Sequence, residues 1–302
     1  MYGEFLPVKP GSGFQMDGYY VWCGSSILGE DGKVYLFAAR WPKEKTFPWG
    51  YMTDSEIVMA VADAPDEPFR YVKTVIAKRP GGFWDSVMAH NPYIMKIREQ
   101  YVLFYIGTPD GRVETRKIGF AWADSLEGPW HRSDEPLELP PNANNPAVIE
   151  KPEGGFLLYF RDGDLKVYAA EAERYEGPYR IRNANVCPKG IVEDMFVFYR
   201  NGRYEMLAED AGGAYTGLVK GGVHFASADG ITWDCDDETP AYDFRIEYTD
   251  GTVRELQRRE RPFLFRWKGR LFMFTGAKIN GPDMTSGCDT WNLVQELREK
   301  SL

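Results

Sequence analysis

The sequence predicts an all-β fold: a five-bladed β-propeller, with four-stranded antiparallel blades around a central channel. Three observations predict it. Helix-period amphipathic stretches are nearly absent, and the best candidate is the tail, Trp291 to Lys300. Short apolar runs are broken throughout by Gly, Asn-Gly, Asp-Gly and Pro, the punctuation of β-strands and hairpins. One four-strand pattern recurs five times, at roughly 50 to 65 residues per unit, and a repeat of that length reads as a propeller blade.

Each unit starts with an apolar strand, a turn and an aromatic-rich strand. In blade one, Trp22 to Leu28 leads to a turn at Asp31-Gly32 and returns over Lys33 to Ala38. Blade two runs from His90-Asn91-Pro92 through a turn near Glu99-Gln100 to Tyr101–Tyr105, and blade three from Asn145-Pro146 through Gly154-Gly155 to Phe156–Phe160. Blade four runs from Glu193-Asp194 through Asn201-Gly202 to Arg203–Leu207, and blade five from Glu260-Arg261-Pro262 through Lys268-Gly269 to Leu271–Phe274. Nine positions separate leader from turn in all five: Cys23 to Gly32, Asn91 to Gln100, Asn145 to Gly154, Glu193 to Gly202, Glu260 to Gly269.

A third strand, a turn and a fourth strand follow the first four hairpins. They read Ile57 to Asp63 with Pro68-Phe69, Ile118 to Asp124 with Gly128-Pro129-Trp130, Val167 to Glu173 with Gly177-Pro178-Tyr179, and Val223 to Asp229 with Trp233. The outer strands of the fifth unit are least clear, within Thr285 to Leu293, and the N-terminal segment is expected to pair with that blade and close the ring. The chain is read as a single domain over 1–302, with blades led near 17–23, 90, 145, 193 and 260.

Hydrophobic content of 43% and charged content of 27% are ordinary for a globular protein. Aromatics reach 15%, which suits strands and also suits sugar-binding clefts. The net charge of −9 argues against nucleic acid and anionic membranes as partners, and fits a neutral or cationic ligand or simply solubility. No apolar run approaches a membrane span. The four cysteines are scattered without CxxC spacing, so free thiols in a reducing compartment are expected and a structural zinc is not. The first residues lack the basic and apolar regions of a signal peptide, which makes the expected location cytoplasmic.

In a propeller the innermost strand of each blade lines the channel, and its first residues face one mouth. The leaders here are Asp17 or Cys23, His90 with Asn91, Asn145, Glu193 with Asp194, and Glu260 with Arg261. An ionised carboxylate is costly to desolvate, so carboxylates leading an apolar strand are either solvated at its edge or held in a site. Convergent polar groups in a concave mouth are the default binding site; capping of strand ends is the bland alternative.

This layout resembles the five-bladed propeller glycoside hydrolases, the broad group of families 43, 32, 62 and 117, over about residues 14 to 280. Within it the chain resembles a branch often labelled family-43-like, on Tyr19 to Trp41 and the His-Asn-Pro, Glu-Asp and Arg-Glu-Arg-Pro motifs. The family's inner strands begin with a general-base Asp in blade one, a tuning Asp-Pro in blade three and an acid Glu-Gly-Pro in blade four. The resemblance implies Asp17 as base and Glu193 as acid, with Asp194 and Met195 where the family has Gly-Pro. Asn145-Pro146 stands at the Asp-Pro position, so the tuning carboxylate is an amide; the adjacent Asp194 could keep Glu193 protonated in its stead.

Glu260, between arginines, reads either as a further catalytic carboxylate or as part of an ion-pair network bracing blade five. Arg258, Arg259 and Arg261 suit an acidic sugar or phosphate. Trp22, Trp84, Asp85, His90, Asn91, Asn145, Arg261 and His224 are the candidate substrate-binding residues; a packed core position is the other reading of His224. Trp41 and Tyr19 are further candidates to stack on a sugar. The glycine-rich stretch from Gly212 to Gly222 reads as a mobile loop beside the site. No pair of histidines has metal-ligand spacing, so no catalytic metal and no required cofactor are expected; a calcium or sodium ion in the channel stays open. The expected activity is inverting, exo-acting hydrolysis of short plant or algal oligosaccharides, with phosphorolysis or sugar binding without catalysis as alternatives. Inverting hydrolysis needs two carboxyl groups roughly 6.5 to 9.5 Å apart, a span that residues on different blades can meet.

Overall fold

A computed structural model describes residues 3–280 and 288–299, apart from the side chain of Asp237. After β1 (Gly3–Phe5) the chain builds five four-stranded antiparallel sheets in sequence. Blade one is β2 (Tyr19–Leu28), β3 (Val34–Pro42), β4 (Glu56–Ala62) and β5 (Arg70–Ile76), with one helical turn, α1 (Tyr51–Asp54), between β3 and β4. Blade two is β6 (Met88–Ile97), β7 (Gln100–Thr108), β8 (Lys117–Ala123) and β9 (His131–Arg132). Blade three is β10 (Asn144–Glu150), β11 (Phe156–Arg161), β12 (Val167–Ala172) and β13 (Arg180–Asn183). Blade four is β14 (Val192–Arg200), β15 (Arg203–Asp210), β16 (Gly221–Ser227) and β17 (Asp234–Asp237). A small hairpin of β18 (Arg245–Glu247) and β19 (Val253–Glu255), which the repeat did not announce, precedes blade five. That blade is β20 (Arg258–Trp267), β21 (Arg270–Asn280), β22 (Cys288–Glu299) and, closing the ring, β1.

The closure is the expected one: Gly3, Glu4 and Phe5 pair with Glu299, Arg298 and Leu297. It also overturns the one helix expectation. Trp291 to Glu299 is strand, because β21 on one side and β1 on the other supply ladder partners along both edges; Lys300, at the end of that stretch, and Thr285 to Gly287 lie outside the described residues. Local helix preference is a weak prior against two such partners.

The same irregularity recurs in all five inner strands. A bulge interrupts the register after Trp22, His90, Asn144, Glu193 and Glu260. The next residue in each, Cys23, Asn91, Asn145, Asp194 or Arg261, has φ of 54, 54, 55, 59 or 60°. Left-handed backbone is uncommon outside glycine, and five symmetric instances mark a built feature. Pro92, Pro146 and Pro262 follow three of them; within a bulge a missing N–H breaks no ladder.

This register corrects the leader alignment. Asp194 and Arg261, not Glu193 and Glu260, are equivalent to Cys23, Asn91 and Asn145. The uniform spacing of nine arose because hairpin lengths differ: Arg200 pairs with Arg203 and Trp267 with Arg270 across two-residue turns, while Glu150 pairs with Phe156 across a longer one.

Two residues past the bulge in blades two, four and five stand three aromatic residues, Tyr93, Phe196 and Phe263. Ring centroids of Tyr93 and Phe263 lie 5.7 Å apart and those of Phe196 and Phe263 4.7 Å apart. Blades two and five are not neighbours, so these rings meet across the channel and plug it. The mouth is therefore a blind pocket.

Candidate active site at the channel mouth

The bulge turns one side chain per blade inward, and the five form a polar floor. The Cys23 thiol donates to Asn91 Oδ1 at 3.0 Å, and Asn91 Nδ2 donates to Asn145 Oδ1 at 3.0 Å. Asn145 Nδ2 donates to Asp194 Oδ1 at 2.6 Å, and Arg261 Nη1 donates to the same oxygen at 2.9 Å. An amide both accepts and donates, so Asn145 can relay between Asn91 and Asp194, where a second carboxylate could only accept. Cys23, Asn91, Asn145 and Asp194 are buried and Arg261 is half-buried, and the chain of partners meets the rule that buried polar groups be satisfied.

Above this floor lies a cavity of about 620 Å³, in the range of small-ligand sites. Its walls are sorted by blade. Blade one is aromatic: Trp22, Trp41, Phe47, Trp49 and Tyr51. Trp41 stacks on Phe47 at 5.7 Å, and Tyr51 on His90 at 4.4 Å, while Trp49 stands 63% exposed at the rim. Blades two and three supply Arg116 and Arg161. Blades four and five supply Glu193, Asp194 and Glu260 with Lys220, Arg258 and Arg261.

The carboxylates are not alike. Glu193 forms an ion pair with Arg161. Glu260 is bridged to Glu209 by Lys220, whose Nζ lies 2.8 Å from Glu209 Oε1 and 3.5 Å from Glu260 Oε1; Arg258 reaches Glu260 at 3.3 Å. Oxygens of Asp194, Glu209 and Glu260 all lie within 4.8 Å of one another. Burial, then repulsion from Glu260 and Asp194, pushes Glu209 up to about 9 against the pull of Lys220. Burial and Asp194 likewise raise Glu260, against Lys220 and Arg258. Burial and mutual repulsion thus favour the protonated form of both carboxyls, and Glu260 is the one that lines the cavity. These oxygens could hold a cation by number, but Lys220, Arg258 and Arg261 already lie against them, so the donor set is a poor fit for a channel calcium or sodium ion.

His90 lies at the edge of the floor, with Nδ1 2.8 Å from Ser55 Oγ and Nε2 3.6 Å from Cys23 Sγ. Burial, reinforced by Arg261 and Arg116, pushes its pKa well down, so the imidazole is neutral.

Of the sequence candidates, Trp22, His90, Asn91, Asn145, Glu193, Asp194, Glu260 and Arg261 come together here. Four do not. Asp17 is exposed in a turn before β2, six residues and up to about 20 Å of extended chain before the bulge that defines the site. Cys23, not Asp17, stands at the inner-strand bulge of blade one. Trp84 is buried against Gly119 and Gly107, which leave a slot for its ring, and its indole donates to Ser133 O at 3.0 Å. Asp85 is buried with Arg79 at 2.6 Å and accepts from Tyr105 Oη at 2.6 Å, an internal brace of blade two. His224 bonds Glu205 at 3.1 Å within blade four, away from the mouth. Arg259 also leaves the expected arginine trio: strand alternation turns it away from the cavity, where it bonds Gln295 Oε1 at 2.8 Å.

The Gly212–Gly222 stretch does stand beside the site. The Asp210 carboxylate ties it down by accepting from the amides of Ala214, Tyr215 and Thr216. Sequence reasoning missed Arg116, Arg161, Glu209 and Lys220. A usable signal existed for two of them: Arg161 and Glu209 are charges ending an apolar second strand, opposite the leaders Asn144 and Glu193 in the ladder. Arg116 and Lys220 sit in loops, where no periodicity reports direction.

Fold and site together define a five-bladed propeller with a blind, carboxylate-bearing pocket at its axis. Solved structures of similar fold include glycoside hydrolases. The family 117 glycoside hydrolase of the marine bacterium Zobellia galactanivorans matches with a TM-score of 0.69 at 16% identity, over 97% of this chain and 88% of that one. A family 43 β-xylosidase/α-arabinofuranosidase from a compost microbial metagenome matches at 0.68 and 13%, over 97% and 96%. An exo-1,5-α-L-arabinanase from a bovine ruminal metagenomic library matches at 0.63 and 13%, over 94% and 95%. No family model matches the chain, and no curated protein matches it in sequence. Among the described residues no helix is long and apolar enough to cross a membrane.

Proposed function

We propose that the protein is a glycoside hydrolase whose active site is the blind pocket. One observation carries the reading: Glu260, a carboxyl packed against Asp194 and Glu209, and Glu193, a carboxylate ion-paired with Arg161, occupy equivalent positions on adjacent blades of one sugar-sized cavity. Glu260 donates its proton to the glycosidic oxygen as the bond to the anomeric carbon breaks. Glu193 takes a proton from a water that attacks that carbon from the opposite face, giving inversion. This exchanges the roles expected from the resemblance, in which Glu193 is the acid and Asp17 the base. The reason is the set of partners each carboxyl has: Arg161 faces Glu193, while Glu260 lies among two other acids, whose effect with burial outweighs that of Lys220 and Arg258.

The aromatic plug supports exo action, because a closed floor admits a chain end and not a chain passing through. The aromatic wall of blade one suits stacking on a sugar ring, and short plant or algal oligosaccharides are the proposed substrates. The family 43 xylosidase and the exo-arabinanase support the plant side of that proposal. The four cysteines carry no disulfide, which supports the proposed cytoplasmic location; fractionation of native cells tests it. A broad glycoside panel with reducing-sugar detection, with and without phosphate, tests the activity. Phosphate-independent release of sugar is expected. Binding without turnover, or release only as sugar 1-phosphate, refutes hydrolysis.

A further inference from the structure

We infer that the pocket selects a sugar bearing its own carboxylate, a uronic acid unit, and that Arg116 is the residue that reads it. This rests on the glycosidase reading above.

The chain as a whole is acidic, with a net charge of −9, yet the cavity is cationic. Arg116, Arg161, Lys220, Arg258 and Arg261 line it against Glu193, Asp194 and Glu260. Four of the five cations lie against carboxyl groups: Arg161 against Glu193, Arg261 against Asp194, and Lys220 and Arg258 against Glu260, with Lys220 also at Glu209. Arg116 is not. Its Nε donates to Asn142 Oδ1 at 2.9 Å and Val113 O at 3.2 Å, and its Nη1 to Tyr51 Oη at 3.3 Å. All are neutral acceptors, and among the described residues no carboxylate forms a salt bridge with it. The side chain is only 7% exposed. A buried charge without a counter-ion is costly, and a guanidinium is the side chain whose fork fits a carboxylate. The cost is recovered when a ligand brings the missing anion.

Position narrows the anion. Arg116 contacts Tyr51 of blade one and lies on blade two, across the channel from Glu260 of blade five. A sugar stacked on the blade-one aromatics therefore meets the proton donor on one side and Arg116 on the other. A carboxylate is the anion whose two oxygens a guanidinium fork pairs with directly.

The test compares uronides with their neutral counterparts, glucuronides against glucosides and galacturonides against galactosides, using the full chain. At least one uronide is expected to be turned over with kcat/KM tenfold or more above its neutral partner. Arg116→Gln should lower that ratio ten- to hundredfold, mainly through KM, and Arg116→Lys should restore part of it, with circular dichroism confirming that both variants fold. Turnover of neutral glycosides only, or an Arg116→Gln ratio equal to wild type, overturns the inference and leaves the glycosidase reading standing. If no glycoside is turned over, that reading fails. Calorimetric binding of free glucuronate and galacturonate then still decides: Arg116-dependent binding supports the carboxylate site, and none overturns it. Phosphate-dependent formation of sugar 1-phosphate that is lost in Arg116→Gln also overturns it, because the anion would then be the co-substrate.

Discussion

Replacing Glu260 by Gln removes the proton and keeps the shape. The amide oxygen can still accept from Lys220 and Arg258, which lie 3.5 and 3.3 Å from the carboxyl, so the wall of blades four and five should hold. What is lost is general acid catalysis, a contribution of about 10²- to 10⁴-fold. The loss should depend on the leaving group. A sugar alkoxide needs the proton, and a dinitrophenolate does not. Steady-state kcat/KM for Glu260→Gln should therefore fall about 10²- to 10⁴-fold on an oligosaccharide and less than about tenfold on the matching dinitrophenyl glycoside. In the wild type the basic limb of the pH profile should report the proton held by Glu209 and Glu260, above the ordinary carboxyl range; activity falls as pH rises through it. The limb should vanish in the variant. Wild-type turnover of oligosaccharides by Glu260→Gln, or an equal loss on both leaving groups, would remove Glu260 from the acid role.

Glu193→Gln should abolish turnover on both substrate types while thermal unfolding stays cooperative, since a base is required whatever departs; near-wild-type activity would sink the assignment. Glu209 ties stability to pH. Its carboxyl stays protonated in the folded protein to about 9 but titrates near 4.5 when unfolded, so the folded state binds the extra proton between those values. Stability from this group is full below the lower value and falls by up to about 1.4 kcal/mol per pH unit above it. Urea unfolding at several pH values should show a flatter dependence in Glu209→Gln, and identical slopes would refute the shared-proton cluster. Asn145→Ala removes the relay between Asn91 and Asp194 and should cost about 2–4 kcal/mol in denaturant unfolding; a loss under about 0.5 kcal/mol would mean the floor is not a connected network. Prolonged chelation should leave activity unchanged, and inactivation reversed by calcium would show a metal that the arrangement of Lys220, Arg258 and Arg261 argues against.

The propeller was legible in the chain because each blade repeats the same local physics. Apolar alternation, a tight turn and a closing aromatic recur five times, and each is set by residues close in sequence. The convergence of Asn91, Asn145, Asp194 and Arg261 was legible too, since strand leaders in a radial array must meet at the axis. Local spacing could not decide which of two adjacent carboxylates turns inward. Glu193 and Asp194 are neighbours, and a bulge with φ of 59° at Asp194 sends one to the floor and the other to the wall. Nor could it assign partners. Arg161 meets Glu193 across 32 positions, and Lys220 reaches Glu260 across 40. Electrostatic surroundings follow from those meetings: Glu193 is half of an ion pair, Glu260 lies beside two other acids, and Arg116 is a buried cation with no carboxylate salt bridge among the described residues. Sequence by itself determined the blades and the ring of leaders, because strand period and turn chemistry act over a few residues. Only the tertiary structure decided which carboxyl meets an arginine, which meets other acids and which cations gather at the pocket, because electrostatics acts through space between side chains that the chain keeps far apart.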